Sequence, residues 1–349
     1  MSCGISKFTG TKITIFYKQT NLFAGALNKG IRGGIAFLTA FFLICVIASC
    51  FAPKGVETNN YPNLFYNFFA NKIQNKALIV LLNYAFVGLG GLIISLIAVK
   101  QEVVEKQNYF PVFIYLAVCI AAINPTQLTP QAFTNVFVLY STYKLLDIYR
   151  EDNCLNQIFV AAFWLCVSSF ITISSIISFP LFFITLLILR PFYWREWAVA
   201  LLGFASPIFL YESIAYLSDF NQWYFIKAAE LFFNFLKLPS ISEYYLPLSI
   251  LLFILFFLSI ASNLINGFGN TVKKQRTKSV LLWYVFLSCL GFFSGGSNGS
   301  SILLTYALPL CFFIGDFLFV MKQVKITNTI LTLLMLCVLL IFLAEYNLV

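Results

Sequence analysis

The stretch ALIVLLNYAFVGLGGLIISLIAV, residues 77–99, decides the fold class because it runs for 23 positions without a charged side chain. About 20 apolar residues in a helix suffice to cross the roughly 30 Å hydrocarbon core of a bilayer. Of the 349 residues 60% are hydrophobic, and the mean hydropathy is +0.88. A soluble domain cannot bury that much apolar side chain. The sequence therefore predicts an all-α, polytopic helical membrane protein.

Similar apolar runs recur along the chain and give about eleven candidate transmembrane helices. The candidates are residues 33–53, 77–99, 110–124, 130–148, 157–177, 179–190, 196–215, 244–266, 279–295, 300–321 and 326–345. Prolines separate the third candidate from the fourth, at Asn124-Pro125 and Pro130, because proline cannot donate to the helical ladder. The short sixth candidate is expected to form a hairpin with the fifth around Phe179-Pro180. No soluble domain stands out, so residues 1–349 are predicted to form a single integral membrane domain.

The distribution of Lys and Arg predicts the orientation in the membrane. With the N-terminus in the cytoplasm, 17 of the 22 basic residues fall in inner segments, as the positive-inside rule requires. Residues 1–32 form a basic cytoplasmic segment, and the most basic inner loop holds Lys273, Lys274, Arg276 and Lys278. The net charge of +9 is thereby explained by membrane topology. Membrane lipid, and no nucleic acid, is the expected partner.

The chain contains no histidine. This excludes histidine-ligated metal centres and nucleophile–histidine catalysis. No metal-ligand spacing, phosphate-binding loop or dinucleotide fingerprint is present, so no metal site or cofactor is predicted, apart from a divalent cation at a carboxylate. The 13 acidic residues are the inventory for acid–base chemistry.

The segment RPFYWREW, residues 190–197, concentrates charges and tryptophans where the sixth predicted span meets the cytoplasm. Arg190 and Arg195 are expected to anchor at lipid phosphates, and Trp194 and Trp197 to lie at the interface, where an indole has an apolar face and one polar N–H. The alternative is a site for a lipid headgroup or a partner on the inner face.

Two outer segments, residues 59–76 and 218–239, alternate polar and apolar side chains at helical spacing. Asn63, Asn67 and Asn71 form the polar stripe of the first, and Lys227 and Glu230 belong to that of the second. Both are predicted to be amphipathic helices on the outer membrane surface.

Two carboxylates are candidate functional groups. Glu57 follows the first predicted span on the outer side, where it is a candidate general base or cation ligand; alternatively it is a solvated carboxylate near Lys54. Asp316 is an intramembrane acidic residue, and burying such a group unpaired is expensive. Its alternative is a paired or snorkelling position near Lys322. Interhelical hydrogen bonds are expected from Asn83, Asn124, Gln131 and Asn135.

The segment from Arg190 to Trp197, followed by Gly203 and Pro207, resembles an uncharacterised family of multi-pass proteins of Bacteroidota inner membranes. The likeness spans most of the chain and is specific in its middle third, residues 128–209. It implies a bacterial inner-membrane location and no particular reaction.

The arrangement of segments also resembles polyprenyl-dependent glycosyltransferases of the GT-C type. Those enzymes have many spans, an acidic first outer loop and helices on the outer face. Glu57 and the segments 61–76 and 218–237 are similar in placement. Paired acidic residues are usual in that loop, whereas this chain has Glu57 alone.

Three functions follow as hypotheses. The first is an enzyme of cell-envelope glycan assembly that acts on a polyprenyl-linked saccharide at the outer face, with Glu57 as base or metal ligand. The second is a non-catalytic subunit of an envelope assembly. The third is a transporter or flippase in which Asp316 couples to protons.

Overall fold

The computed structural model describes residues 31–50, 75–101, 103, 108–124, 128–149, 151, 153–217, 243–266, 271–291, 299–321 and 323–345. Within these ranges the chain forms eleven α-helices, two short 3-10 helices and no strand. The α-helices are α1 Ile31–Cys50, α2 Lys76–Lys100, α3 Phe110–Ala122, α4 Pro130–Leu146, α5 Leu155–Ile171, α6 Phe179–Leu189, α7 Trp194–Leu217, α8 Leu246–Asn266, α9 Val272–Gly291, α10 Gly299–Val320 and α11 Val324–Glu345. The 3-10 helices are Ile173–Ser178 and Glu243–Tyr245.

Three sequence predictions lie outside the described residues. These are the structure of the first 30 residues, the position of Glu57, and the two amphipathic helices, of which only residues 75 and 76 fall inside.

Five helices of the described chain are long and apolar enough to cross a membrane. Their spanning segments are Lys76–Lys100, Trp194–Leu217, Leu246–Asn263, Leu303–Val320 and Lys325–Ala344. The outer helices expose large apolar side chains, such as Phe209 and Leu217 of α7 and Phe253 of α8, as contact with lipid tails requires. The predicted all-α, polytopic helical membrane protein is confirmed.

Helix α9 begins at Val272, seven residues before the predicted start of its span. Thr271 explains the early start, because its hydroxyl oxygen accepts a hydrogen bond from the Lys274 N–H at 3.3 Å, as a helix N-cap does. The basic residues predicted to form a loop therefore form the first two turns of a helix. The fifth predicted span, residues 157–177, is longer than the helix observed there. Helix α5 ends at Ile171, and the chain continues as the 3-10 helix before α6.

Helices α3 and α10 form the centre of the bundle. All 13 residues of α3 are buried. Gly315 of α10 lies so close to α3 that an added Cβ would stand 2.6 Å from Cγ of Pro111 and 2.8 Å from its backbone nitrogen. Only glycine permits this approach of two helices. Helices α2, α4, α8, α9 and α11 pack around this pair. Helix α5 packs instead on α4 and α7, and Gly203 of α7 lies against Phe159 of α5 in a similar way.

Helices that follow one another in the chain run in opposite directions, so the helix termini collect at two ends of the bundle. At one end Lys100, the last residue of α2, pairs with Asp147 after α4, and Lys273 at the start of α9 donates to the Lys100 carbonyl oxygen. We call this the basic end. At the opposite end the Thr129 N–H, just before α4, donates to Oδ1 of Asn83 in α2.

Helix lengths place the start of α4 below the first residue of α2 at that opposite end. Helix α2 has 25 residues, about 37 Å, whereas α3 has 13, about 20 Å. Asn83 lies seven residues into α2, so its bond to Thr129 holds the start of α4 about 10 Å below the first residue of α2. The start of α4 is therefore recessed relative to the neighbouring helix.

Candidate functional site

Uncharged polar side chains gather at the opposite end, at the start of α4 and at the turn after α5, and we call them the recessed polar cluster. Its members are Asn83, Thr129, Gln131, Thr134, Asn135, Ser168, Thr172, Ser175 and Thr305. All of them except Thr305 are buried, although the surrounding helices are strongly apolar. Buried polar groups in a membrane bundle are costly unless they are hydrogen-bonded, so such a concentration is a candidate functional site.

Helix α4 contributes three of these side chains, which tie it to its neighbours. Gln131 Nε2 donates to Oγ1 of Thr305 in α10 at 2.9 Å, and Asn135 Nδ2 donates to the Leu304 carbonyl oxygen at 2.8 Å. With the bond between Thr129 and Asn83, these contacts confirm the predicted interhelical role of Asn83, Gln131 and Asn135.

The second part of the recessed polar cluster lies at the turn that follows α5. Thr172 has an extended backbone that ends α5, and its hydroxyl donates to the Thr134 hydroxyl oxygen at 2.8 Å. The hydroxyl oxygens of Ser168 and Ser175 lie 3.0 Å apart within the same turn. Because Thr134 lies in the first two turns of α4, the end of α5 is recessed to a similar depth as the start of α4.

Thr129 differs from the other members because its hydroxyl oxygen has no hydrogen-bond partner among the described residues. The residue is only 6% exposed, and it precedes α4 without capping it. A buried hydroxyl without a partner costs about 1–3 kcal/mol. The Thr129 hydroxyl is therefore the group of this cluster that a further hydrogen-bonding partner would stabilise.

The recessed polar cluster offers hydrogen-bonding groups to a ligand, but none of its members is an acid or a base. Its members are hydroxyls and amides, which donate and accept hydrogen bonds without carrying charge. In the part of the chain that the structure describes, no three His, Cys, Asp or Glu side chains come together to hold a metal ion. Glu212, in the last two turns of α7, is a carboxylate at the same end of the bundle. Glu57, the predicted general base or cation ligand, lies outside the described residues.

At the basic end, the residues of the RPFYWREW segment separate into two pairs. Arg190 is partly buried: its Nη1 donates to the Glu151 carbonyl oxygen at 2.7 Å, and its Nε lies 3.3 Å from Glu196 Oε1. Trp197 packs between the rings of Phe183 and Phe192, with centroids 4.9 and 5.2 Å away.

Trp194 and Arg195 form the outward-facing pair. Trp194 is 69% exposed, and the Arg195 guanidinium lies 5.9 Å from its ring. This pair has the exposure that an interfacial anchor needs, whereas Arg190 and Trp197 contact protein. The anchoring role of the four residues stays a prediction.

Cys154 lies between the two charges of this segment. It contacts Arg190, and its thiol donates to Glu196 Oε1 at 3.4 Å. Burial raises the pKa of the Cys154 thiol to about 11; the Glu196 carboxylate adds to the rise, and the Arg190 guanidinium opposes it. The thiol is therefore protonated, and unreactive as a nucleophile, at neutral pH.

Asp316 is buried near the end of α10 and is held by two lysines of α9. Lys274 Nζ lies 3.3 Å from Oδ1, and Lys278 Nζ lies 2.5 Å from Oδ2. Lys278 also donates to Oδ1 of Asn263 in α8. Lys322, the neighbour of Asp316 expected from the sequence, lies outside the described residues. The described partners of Asp316 come from a helix about forty residues earlier in the chain.

The remaining cations of α9 reach the C-terminal ends of other helices. Lys273 Nζ donates to the carbonyl oxygen of Lys100, the last residue of α2, at 2.8 Å. Arg276 Nη1 donates to that of Leu189, the last residue of α6, at 3.1 Å. The last carbonyls of a helix carry partial negative charge and lack intrahelical donors. The first two turns of α9 therefore join α2, α6, α8 and α10 at the basic end.

Lys274 and Lys278 were missed as site residues because they were assigned to a loop. Their spacing of four positions, together with a threonine at position 271, was the available signal. In a helix capped at Thr271, residues four apart share one face.

Comparison with known proteins adds a family and no reaction. A model described as a family of unknown function (DUF6427) matches residues 63–348, which include both ends of the bundle described above. No curated protein and no solved structure matches the chain.

Proposed function

We propose that this chain, which belongs to the family of unknown function DUF6427, acts in cell-envelope glycan assembly as a GT-C-like transferase. Its substrate is a polyprenyl-linked saccharide at the outer face of the bacterial inner membrane. The observation that carries the proposal is the recessed polar cluster, in which the buried Thr129 hydroxyl has no hydrogen-bond partner among the residues that the structure describes. A non-catalytic role in the same assembly is the alternative, and the experiment below separates the two.

The orientation follows from the charges of the two ends. Lys100, Arg190, Lys273 and Arg276 lie at the basic end, which the positive-inside rule assigns to the cytoplasm. The recessed polar cluster then faces the outer side, where lipid-linked sugars of envelope assembly are used. The N-terminus is cytoplasmic in this orientation.

The chemistry of the cluster suits a sugar. Sugar hydroxyls both donate and accept hydrogen bonds, as Thr, Ser, Asn and Gln side chains do. A recessed site within the thickness of the membrane also keeps the sugar close to its lipid carrier. Because the cluster has no charge, it favours a neutral saccharide and leaves the phosphate to contacts elsewhere.

Glu57 is the proposed catalytic residue, acting as general base or as ligand of a divalent cation. It belongs to the segment that joins the outer ends of α1 and α2, and α2 supplies Asn83 to the cluster. The segment therefore starts and ends at the side of the bundle that holds the polar cluster.

The test compares glycans in a deletion strain complemented with wild type, Glu57→Gln, Thr129→Val or Lys325→Gln at equal membrane levels. Surface glycans and polyprenyl-linked sugars are profiled by mass spectrometry. We expect a lipid-linked intermediate to accumulate in the deletion strain and with Glu57→Gln and Thr129→Val. Lys325, exposed at the basic end, is the matched control and should complement fully.

Two results would change the conclusion. An unchanged glycan profile in the deletion strain would refute a role in glycan assembly. If the deletion strain accumulates the intermediate but Glu57→Gln and Thr129→Val both complement, the chain supports the assembly without binding or converting the sugar.

A further inference from the structure

The cluster of Lys274, Lys278 and Asp316 carries an excess of positive charge. Among the described residues, two ammonium groups face one carboxylate, and Asn263, which also bonds Lys278, is neutral. The side chains of the two lysines are only 15% and 13% exposed, and that of Asp316 is 5% exposed. Burying a net charge is costly, so a positive excess at this depth calls for an anion.

Lys274 retains the donors that an anion needs. An ammonium group has three N–H donors, and in the described part of the chain the side chain of Lys274 bonds only Asp316 Oδ1. Lys278 uses two of its three donors, on Asp316 and Asn263. Several N–H groups within one cluster are thus left for a ligand oxygen.

The surroundings add further positive charge. Lys273 and Arg276 lie on the same two turns, and no acidic residue occurs in the first turn of α9. Their donors go to the carbonyl oxygens of Lys100 and Leu189, so they raise the local potential without filling the cluster. Lysine is a usual binder of phosphate as a point charge.

We propose that Lys274 and Lys278, in the first two turns of α9, form a binding site for a phosphate group. Asp316 of α10 holds the two lysines in place. The phosphate comes either from the headgroup of an anionic phospholipid or from a soluble phosphate ester. The site lies at the opposite end of the bundle from the recessed polar cluster and does not depend on the function proposed for that cluster.

The proposal predicts an order of affinities that follows the charge of the cluster. Wild type carries one positive charge in excess, Lys274→Gln none, and Asp316→Asn two. The double variant Lys274→Gln/Asp316→Asn returns to one. Phosphate binding should therefore weaken about tenfold or more in Lys274→Gln, recover in the double variant, and strengthen in Asp316→Asn.

The experiment uses the full chain in detergent, with phosphatidylglycerol followed by native mass spectrometry and inorganic phosphate followed by calorimetry. Lys325→Gln removes an exposed charge from the same end and should bind as wild type does. Binding of phosphatidylglycerol alone, in the predicted order, identifies a lipid headgroup site. Binding of inorganic phosphate in that order identifies a site open to soluble phosphate.

Two outcomes would overturn the proposal. The first is that wild type and Lys274→Gln bind each probe equally well, or that neither protein binds either probe. The other is a double variant that binds no better than Lys274→Gln, which would show that Asp316 does not set the affinity through its charge. This second comparison remains decisive even if Asp316→Asn alone does not fold, because the double variant carries no more charge than wild type.

Discussion

The two ends of this bundle keep polar groups among apolar helices in different ways. The recessed polar cluster uses uncharged side chains that bond one another across α2, α4, α5 and α10. The basic end uses charged groups: Lys278 reaches a carboxylate, whereas Lys273 and Arg276 reach the last carbonyl of a helix. Uncharged groups suit the depth of the membrane, where solvation of charge is poorest, and charged groups suit its boundary.

The difference between charged and uncharged groups also predicts which substitutions affect stability and which affect function. Removing one partner of a mostly buried ion pair destabilises a fold strongly, because the other charge is left without compensation. Single hydrogen bonds between membrane helices contribute less, about 0.6 kcal/mol on average. We therefore expect substitutions at the basic end to affect stability most, and substitutions in the recessed polar cluster to affect function most.

The largest loss of stability is expected from Asp316→Ala in phosphate-free buffer. The substitution leaves Lys274 and Lys278 facing each other with little solvent, which should lower the free energy of unfolding by about 3 kcal/mol. Denaturant unfolding of the purified chain in detergent measures the change.

Asp147→Ala is the control for this prediction. Asp147 also pairs with a lysine at the basic end, but Lys100 is 49% exposed and water can solvate it after the change. The expected loss is about 1 kcal/mol or less. Equal losses for the two aspartates would show that burial does not distinguish the two ion pairs.

The next largest effect is expected from Gly315→Ala, because this residue joins the two central helices. The added methyl group would meet the backbone of Pro111, which cannot move without shifting α3. Overpacking of this kind costs about 2 kcal/mol. Thermal unfolding should detect it.

Gly88→Ala in α2 serves as the comparison for Gly315→Ala. Its Cβ would lie 3.4 Å from the Phe42 ring, an ordinary contact, so its stability should be unchanged or slightly higher. A loss in Gly88→Ala as large as that in Gly315→Ala would argue against a special role for the contact between α3 and α10.

The sequence predicted the helices better than it predicted their contacts. Ten of the eleven predicted spans begin within two residues of the observed helices, because length and hydropathy decide which segments lie in a membrane. The exception, α9, starts with four cations in seven positions, which lower the hydropathy of a segment that is nevertheless helical. Hydropathy alone cannot distinguish a basic loop from the basic first turns of a helix.

The candidate sites were predictable only in part. Asn83, Gln131 and Asn135 were recognisable as interhelical donors or acceptors because polar groups in apolar runs must find partners. Their partners could not be recognised from the sequence, since the bond between Asn135 and Leu304 joins residues 169 positions apart. Trp194 and Trp197 looked alike in sequence, and only the rings of Phe183 and Phe192 show which of them packs against protein.

A smaller effect on stability is expected in the recessed polar cluster. Thr134→Val removes a hydroxyl that donates to the Pro130 carbonyl oxygen and accepts from Thr172, so it should cost about 1 kcal/mol. Thr129→Val removes a hydroxyl without a described partner and should leave stability unchanged or raised. Thermal unfolding of both variants, measured side by side, tests the assignment; a larger loss in Thr129→Val would show that its hydroxyl is bonded in the native chain.

The smallest effect concerns Cys154 at the basic end. Because burial raises the pKa of its thiol from 9.0 to about 11, alkylation by a maleimide should be slow at pH 7.4 and should accelerate as the pH approaches 11. The contribution of the neutral thiol to stability is complete below pH 9 and is lost as the pH rises from 9 towards 11.

The variant Glu196→Gln tests the cause of the raised pKa. It removes the negative charge that adds to the rise, so alkylation of Cys154 at a given pH should be faster. A Cys154 that reacts at pH 7.4 as fast as a free thiol would show that the ion pair between Arg190 and Glu196 is open to solvent, and the basic end would then be less closely packed than its contacts indicate.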